Sequence, residues 1–126
     1  KNLIKYAGAQ LPLFLIQEGN IKLIKGDRHS VGYRSCKFDF YFKDNEIIID
    51  KDSYIYLTTD GYIDQNGGDK KFPFGKKQLK QILLNIHKES FYKQSEILSQ
   101  RNIEYKQQEE TTDDVTIIGF KVESSI

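Results

Sequence analysis

The sequence predicts an α+β fold, one domain or part of one, in which antiparallel strands are followed by two consecutive helices and a closing strand. Three observations predict it. The first half alternates short apolar runs with Gly, Asn and Asp breaks at strand spacing. Leu79, Ile82, Leu83 and Ile86 then follow the i, i+3, i+4, i+7 spacing of one helix face. Residues 115–122 return to strand character behind a polar loop at 107–112.

Residues 3–6 read as a short strand, closed by the small residues Ala7-Gly8-Ala9. Residues 11–17 and 21–25 are apolar runs joined through Gly19-Asn20, the pattern of a hairpin whose glycine takes a positive φ. The clearest strand is 37–43, where Phe38, Phe40 and Phe42 fall on one face and polar groups on the other. Ile47-Ile48-Ile49 and residues 54–58 add strands, the second ending at Asp60-Gly61. The glycine-rich turn Asn66-Gly67-Gly68-Asp69 precedes the first helix. Ser90 is a natural N-cap for the second. There Phe91, Leu98 and Tyr105, spaced by seven, predict one buried stripe.

Composition narrows the class. A chain of 126 residues with 38% hydrophobic and 29% charged residues carries a core and is not a disordered chain. The net charge is +1 with lysines dispersed among acids, which argues against a nucleic-acid arm or a membrane patch. No apolar run approaches the ~20 residues of a membrane span, and no signal-peptide pattern is present. The single cysteine, Cys36, forms no intrachain disulfide and is expected to be a small buried or edge residue in a reducing, cytoplasmic setting. The chain begins Lys1-Asn2-Leu3, contains no methionine, and is already strand-like at Leu3. A segment of a longer protein is therefore expected.

Two places put carboxylates at strand ends beside tight backbone: Thr58-Thr59-Asp60-Gly61 and Thr112-Asp113-Asp114-Val115-Thr116. A strand end fixes a side chain's direction while leaving it open to solvent, and Gly61 allows close approach of backbone or ligand. Carboxylates held in this way suit Mg²⁺ or Mn²⁺. Each pair alone also reads as ordinary solvated turn chemistry.

Taken with their surroundings the pairs are more specific. Tyr56-Leu57-Thr58-Thr59-Asp60-Gly61-Tyr62 resembles the strand-to-turn "TDG" motif of the metal-dependent type 2C (PPM) protein serine/threonine phosphatases, in their SpoIIE-like branch. Asp113-Asp114-Val115-Thr116-Ile117-Ile118 resembles the closing "DD-V-T" motif of that family. Phe72-Pro73-Phe74-Gly75-Lys76-Lys77-Gln78-Leu79 resembles its helix start, and Tyr6-Ala7-Gly8-Ala9-Gln10-Leu11-Pro12-Leu13 and Ser30-Val31-Gly32 its upstream loops. The resemblance runs along essentially the whole chain and places residues 1–126 in the C-terminal part of such a domain.

The resemblance implies a sandwich of two antiparallel sheets flanked by helices, with a two-metal Mn²⁺ or Mg²⁺ site at one edge. Asp60 and Asp113 match metal ligands. Asp114 stands where relatives have Asp or Asn, in direct or indirect contact with the metals, and Gly61 keeps the turn tight beside them. Two ions ~3.5–4 Å apart would activate a water for in-line attack on phosphorus. No side chain of the chain is assigned as a catalytic nucleophile. The family's N-terminal "D-x-x-G-H-G" motif has no counterpart here: His29 sits in Asp27-Arg28-His29-Ser30, and His87 is expected at a helix end or on the surface. The segment alone is accordingly expected to be inactive.

The implied substrate is a phosphoserine or phosphothreonine protein in bacterial signalling, such as an anti-sigma-factor antagonist, with a sensory or repeat domain upstream. The alternative is a non-catalytic phosphoprotein-binding or dimerisation module, since open sheet edges favour a homodimer. Other motifs fail. Lys70 stands where a P-loop before Gly75-Lys76 needs glycine, Tyr62 occupies a ligand position of a calcium loop begun at Asp60 and Asp64, and the phenylalanine strand lacks the basic surround of a base-stacking platform.

Overall fold

A computed structural model describes residues 2–6, 11–25, 45–49, 52–111 and 113–123. Cys36, His29, the strand expected at 37–43 and the two upstream loop motifs at 7–10 and 30–32 lie outside the described residues. The elements run β1 (Asn2–Tyr6), β2 (Leu13–Gln17), β3 (Asn20–Ile24), β4 (Asn45–Ile49), β5 (Ser53–Thr58), α1 (Asp60–Ile63), β6 (Asn66–Gly67), β7 (Phe72–Pro73), α2 (Lys76–Ile86), α3 (Phe91–Lys106) and β8 (Ile117–Val122). They fall into two compact units, Lys1–Leu57 with Phe120–Ile126, and Thr58–Gly119. The strand–helix–strand order is the α+β arrangement expected from the sequence.

In the first unit β2 pairs antiparallel with β3 on one side and β5 on the other. β8 follows β5 in the order of that sheet, β3-β2-β5-β8. Gln17 pairs with Asn20, so the hairpin turn is Glu18-Gly19, with φ of 50° and 78°. Both positive values match the right-handed twist of the flanking strands. The turn thus sits one residue before the expected Gly19-Asn20, because Asn20 already belongs to the ladder.

β1 pairs antiparallel with β4, Ile4 facing Ile47. Leu13, Leu15 and Ile55 from one sheet and Ile47 and Ile49 from the other form a single buried cluster, with Ile4, Tyr6, Ile24, Leu57 and Val122 packed on it. The two sheets therefore meet face to face as a sandwich. Phe14, Ile16 and Tyr56, on the opposite faces of β2 and β5, are buried as well. Burial on both faces explains why Leu13-Phe14-Leu15-Ile16 is uninterrupted rather than alternating. Each such side chain stabilises the fold by about 1.5–3 kcal/mol.

In the second unit α2 buries Leu79, Ile82, Leu83 and Ile86, the face expected from their spacing. Ser90 caps α3 as expected, its hydroxyl accepting a 3.2 Å hydrogen bond from the Lys93 amide. The expected stripe on α3 is corrected. Leu98 is buried and Tyr105 half-buried, but Phe91 is 44% exposed and Gln94 is buried instead. Phe91 is the first residue of the helix, where no preceding turn continues the stripe. The Gln94 carboxamide donates to the carbonyls of His87 (3.0 Å) and Glu89 (2.9 Å), in the segment that follows the last residue of α2. His87 does close α2, but as a buried residue, with Nδ1 2.7 Å from the Leu84 carbonyl oxygen.

Phe74 lies between Tyr62 and Tyr105 in two edge-to-face contacts, with centroids 5.3 and 5.0 Å away. The Tyr62 hydroxyl donates to the Leu98 carbonyl at 2.8 Å, and burial pushes its pKa up to about 12 against a small opposing effect of Arg101. The end of α3 sits on the β6–β7 hairpin. There the Gly68 amide donates to the Tyr105 carbonyl at 2.9 Å and the Tyr105 hydroxyl donates to the Phe72 carbonyl at 2.6 Å.

Candidate functional site

All four expected site residues, Asp60, Gly61, Asp113 and Asp114, belong to the Thr58–Gly119 unit. β5 ends with Thr58 buried, and Thr59 is the N-cap of α1. The sequence predicts a tight turn at Asp60-Gly61. The structure has one helical turn there, closed by the Asp64 amide donating to the Asp60 carbonyl at 2.8 Å. Four residues are too few to leave a periodic signal in sequence.

Gly61 is buried against the backbone of the closing motif. A Cβ there would lie 2.0 Å from the Asp114 carbonyl oxygen and 3.2 Å from that of Asp113. The allowance for close approach made at Gly61 is thus taken up by main chain. Thr59 joins the same two segments. Its amide donates to the Thr116 carbonyl (3.0 Å), its hydroxyl donates to the Asp114 carbonyl (2.9 Å), and that hydroxyl accepts from the Thr116 amide (3.0 Å).

These contacts bring the Asp60 and Asp113 segments together, with both side chains exposed. The Asp113 carboxylate accepts a 2.8 Å bond at Oδ1 from the Asp114 amide, which fixes its direction. Asp114 enters the arrangement through its main chain. A further carboxylate, Asp64, is drawn in one helical turn after Asp60. Desolvation first, then the charges of Asp60 and Asp113, hold its pKa above the ordinary carboxylate value, while Lys76 opposes them. Sequence reading placed Asp64 only in a rejected calcium loop. The i, i+4 spacing from Asp60 is the signal that could have found it.

The raised pKa fixes a pH dependence. The folded chain binds the Asp64 proton more tightly than the unfolded chain, so this group's contribution falls as pH rises from the unfolded value through the folded one. Asp64→Asn is therefore expected to melt above wild type at about pH 7 and to lose that advantage at about pH 3, where the Asp64 carboxyl is protonated. Thermal denaturation at both pH values checks this, and an equal difference at both would assign the effect to something other than charge.

The donor chemistry fits a hard divalent cation, since every group is a carboxylate and such ions are commonly held by one or two carboxylates plus waters. Among the described residues no group of three or more His, Cys, Asp or Glu gathers closely enough to hold an ion. Asp60 and Asp113 thus fit part of a coordination shell.

Antiparallel sheets packed as a sandwich, two consecutive helices and carboxylates at the paired strand ends define a class. The SiaA-PP2C domain of Pseudomonas aeruginosa matches with a TM-score of 0.83 and 26% identity, over 96% of this chain and 46% of that domain. The phosphatase domain of the cell fate determinant SpoIIE from Bacillus subtilis matches in fold, with a TM-score of 0.66 and 9% identity, over 99% of this chain and 59% of that one. The class is the PP2C-type phosphatase fold.

The chain belongs to the Stage II sporulation protein E (SpoIIE) family, whose model matches residues 2–123. It spans about half the length of the solved domains it matches. No curated protein matches it. Among the described residues no helix is long and apolar enough to cross a membrane.

Proposed function

We propose that the chain is the C-terminal part of a metal-dependent protein serine/threonine phosphatase domain, and that Asp60 and Asp113 hold part of a Mn²⁺ or Mg²⁺ centre. The observation that carries this reading is the seating of Gly61 on the Asp113–Asp114 main chain, which brings together the two segments that carry these carboxylates. When bound, divalent ions at such a site supply positive charge to phosphoryl oxygens and lower the pKa of water enough for attack on phosphorus. The chain's own residues bind and orient. Asp60 projects from the first turn of α1, and the Asp114 amide on Oδ1 of Asp113 leaves Oδ2 available for an ion.

The substrate in this proposal is a phosphoserine or phosphothreonine protein of bacterial signalling in the cytoplasm, such as an anti-sigma-factor antagonist. Hydrolysis belongs to the complete domain, and residues 1–126 alone contribute ligands without turnover. Calorimetric titration of the chain with MnCl₂ tests the metal assignment. Weak binding is expected, lowered at least about tenfold in both Asp60→Asn and Asp113→Asn. An absence of binding, or binding indifferent to both changes, would sink the assignment and favour a non-catalytic phosphoprotein-binding or dimerisation module.

A further inference from the structure

We infer that Thr59 is a positioning residue, whose hydroxyl sets the separation of the Asp60 and Asp113 carboxylates. The inference rests on the metal assignment above and extends it to a residue with no ligand role. A threonine at an N-cap ordinarily turns its hydroxyl onto an amide of the helix it opens. Thr59 makes no such bond to α1. Its hydroxyl is committed across the chain, donating to the Asp114 carbonyl at 2.9 Å and accepting from the Thr116 amide at 3.0 Å.

The geometry gives this arrangement its meaning. Asp60 follows Thr59 directly, and Asp113 precedes the residue whose carbonyl Thr59 holds. The Thr59 main-chain bond to Thr116 by itself leaves the segments a hinge about one point. The hydroxyl adds a second point on the Asp114 side, and Gly61 removes the Cβ that would keep Asp114 away. The remaining freedom between the two ligand-bearing segments is therefore small. Groups that fix ligands in place through hydrogen bonds typically change metal affinity by about 10–100-fold when removed.

Thr59→Val keeps the shape and removes both donor and acceptor, whereas Thr59→Ser keeps the hydroxyl. Mn²⁺ titrations are run on wild type, both variants and Asp60→Asn, below the melting temperature of each. Exchange of the Thr116 amide is followed by NMR without metal. T59V is expected to bind Mn²⁺ about tenfold more weakly, T59S within about threefold of wild type, and the Thr116 amide to exchange faster in T59V. Should T59V not fold, Thr59→Ala carries the same loss of hydroxyl.

Wild-type affinity in T59V beside lost binding in Asp60→Asn would overturn the positioning role and leave the carboxylate assignment standing. A T59S variant as weak as T59V would overturn it too, by assigning the effect to the methyl group. Unchanged Thr116 exchange in T59V would remove the bond on which the role depends. Wild type that binds no Mn²⁺ would take down the metal assignment and the positioning role together.

Discussion

Gly61→Ala is expected to destabilise the chain by about 3 kcal/mol, lowering its melting temperature by roughly 10 °C, and to abolish Mn²⁺ binding. The usual preference runs the other way. Replacing a helical glycine by alanine ordinarily stabilises by roughly 0.5–1 kcal/mol, because glycine loses more backbone freedom on folding. At Gly61 the added methyl would stand 2.0 Å from the Asp114 carbonyl oxygen. That oxygen is main chain, so no rotamer change relieves the overlap, and overpacking of this kind typically costs about 1–3 kcal/mol or more. Relief requires the Asp113–Asp114 segment to withdraw from α1, which parts the two acidic segments. Thermal melting and Mn²⁺ calorimetry check the two halves. A melt within about 2 °C of wild type with affinity intact would show that the approach is looser than described.

Gly67→Ala is expected to be as destabilising as Gly61→Ala, about 3 kcal/mol, yet to leave Mn²⁺ affinity unchanged below its melting temperature. A Cβ at Gly67 would lie 1.9 Å from the Tyr105 carbonyl oxygen and 2.8 Å from a carbon of the Tyr105 ring. The last turn of α3 would lift from the β6–β7 hairpin. The Tyr105 hydroxyl bond to Phe72 and the edge contact with Phe74 would weaken with it. None of these groups bonds to Thr59, Asp113 or Asp114. Comparing the two glycine variants therefore separates stability of the helical unit from integrity of the candidate site. Equal loss of Mn²⁺ affinity in both would show that the site depends on the unit as a whole.

Much of the fold was legible because periodicity and burial agree. α2 shows its buried face in the spacing of Leu79, Ile82, Leu83 and Ile86, and Ser90 marks the start of α3 through the chemistry of its side chain. On α3 the spacing misleads at Phe91, because a polar residue, Gln94, takes a buried place by satisfying the carbonyls at the end of α2. The hairpin turn was misplaced by one residue because Gly19 serves as the second turn position. At the site, the Asp60 and Asp113 segments are joined by long-range main-chain contacts that no local pattern encodes. Resemblance to family motifs pointed to the pairing. The local reading gave only that Gly61 admits close approach, without naming what approaches. Asp64 escaped because its role depends on charges brought near by folding.

Thr59 and Thr116 stand 57 positions apart, and the intervening chain contains α1, the β6–β7 hairpin, α2 and α3. Their contact therefore closes a long loop, and loop closure carries an entropic penalty that the helices inside the loop do not share. Helical turns form from near neighbours, so a chain can acquire α2 and α3 while its two acidic segments are still far apart. The two acidic segments come together only once that loop has shut. If Asp60 and Asp113 hold a divalent ion as proposed, that ion would bind completed chains in preference to half-folded ones and so favour closure of the loop.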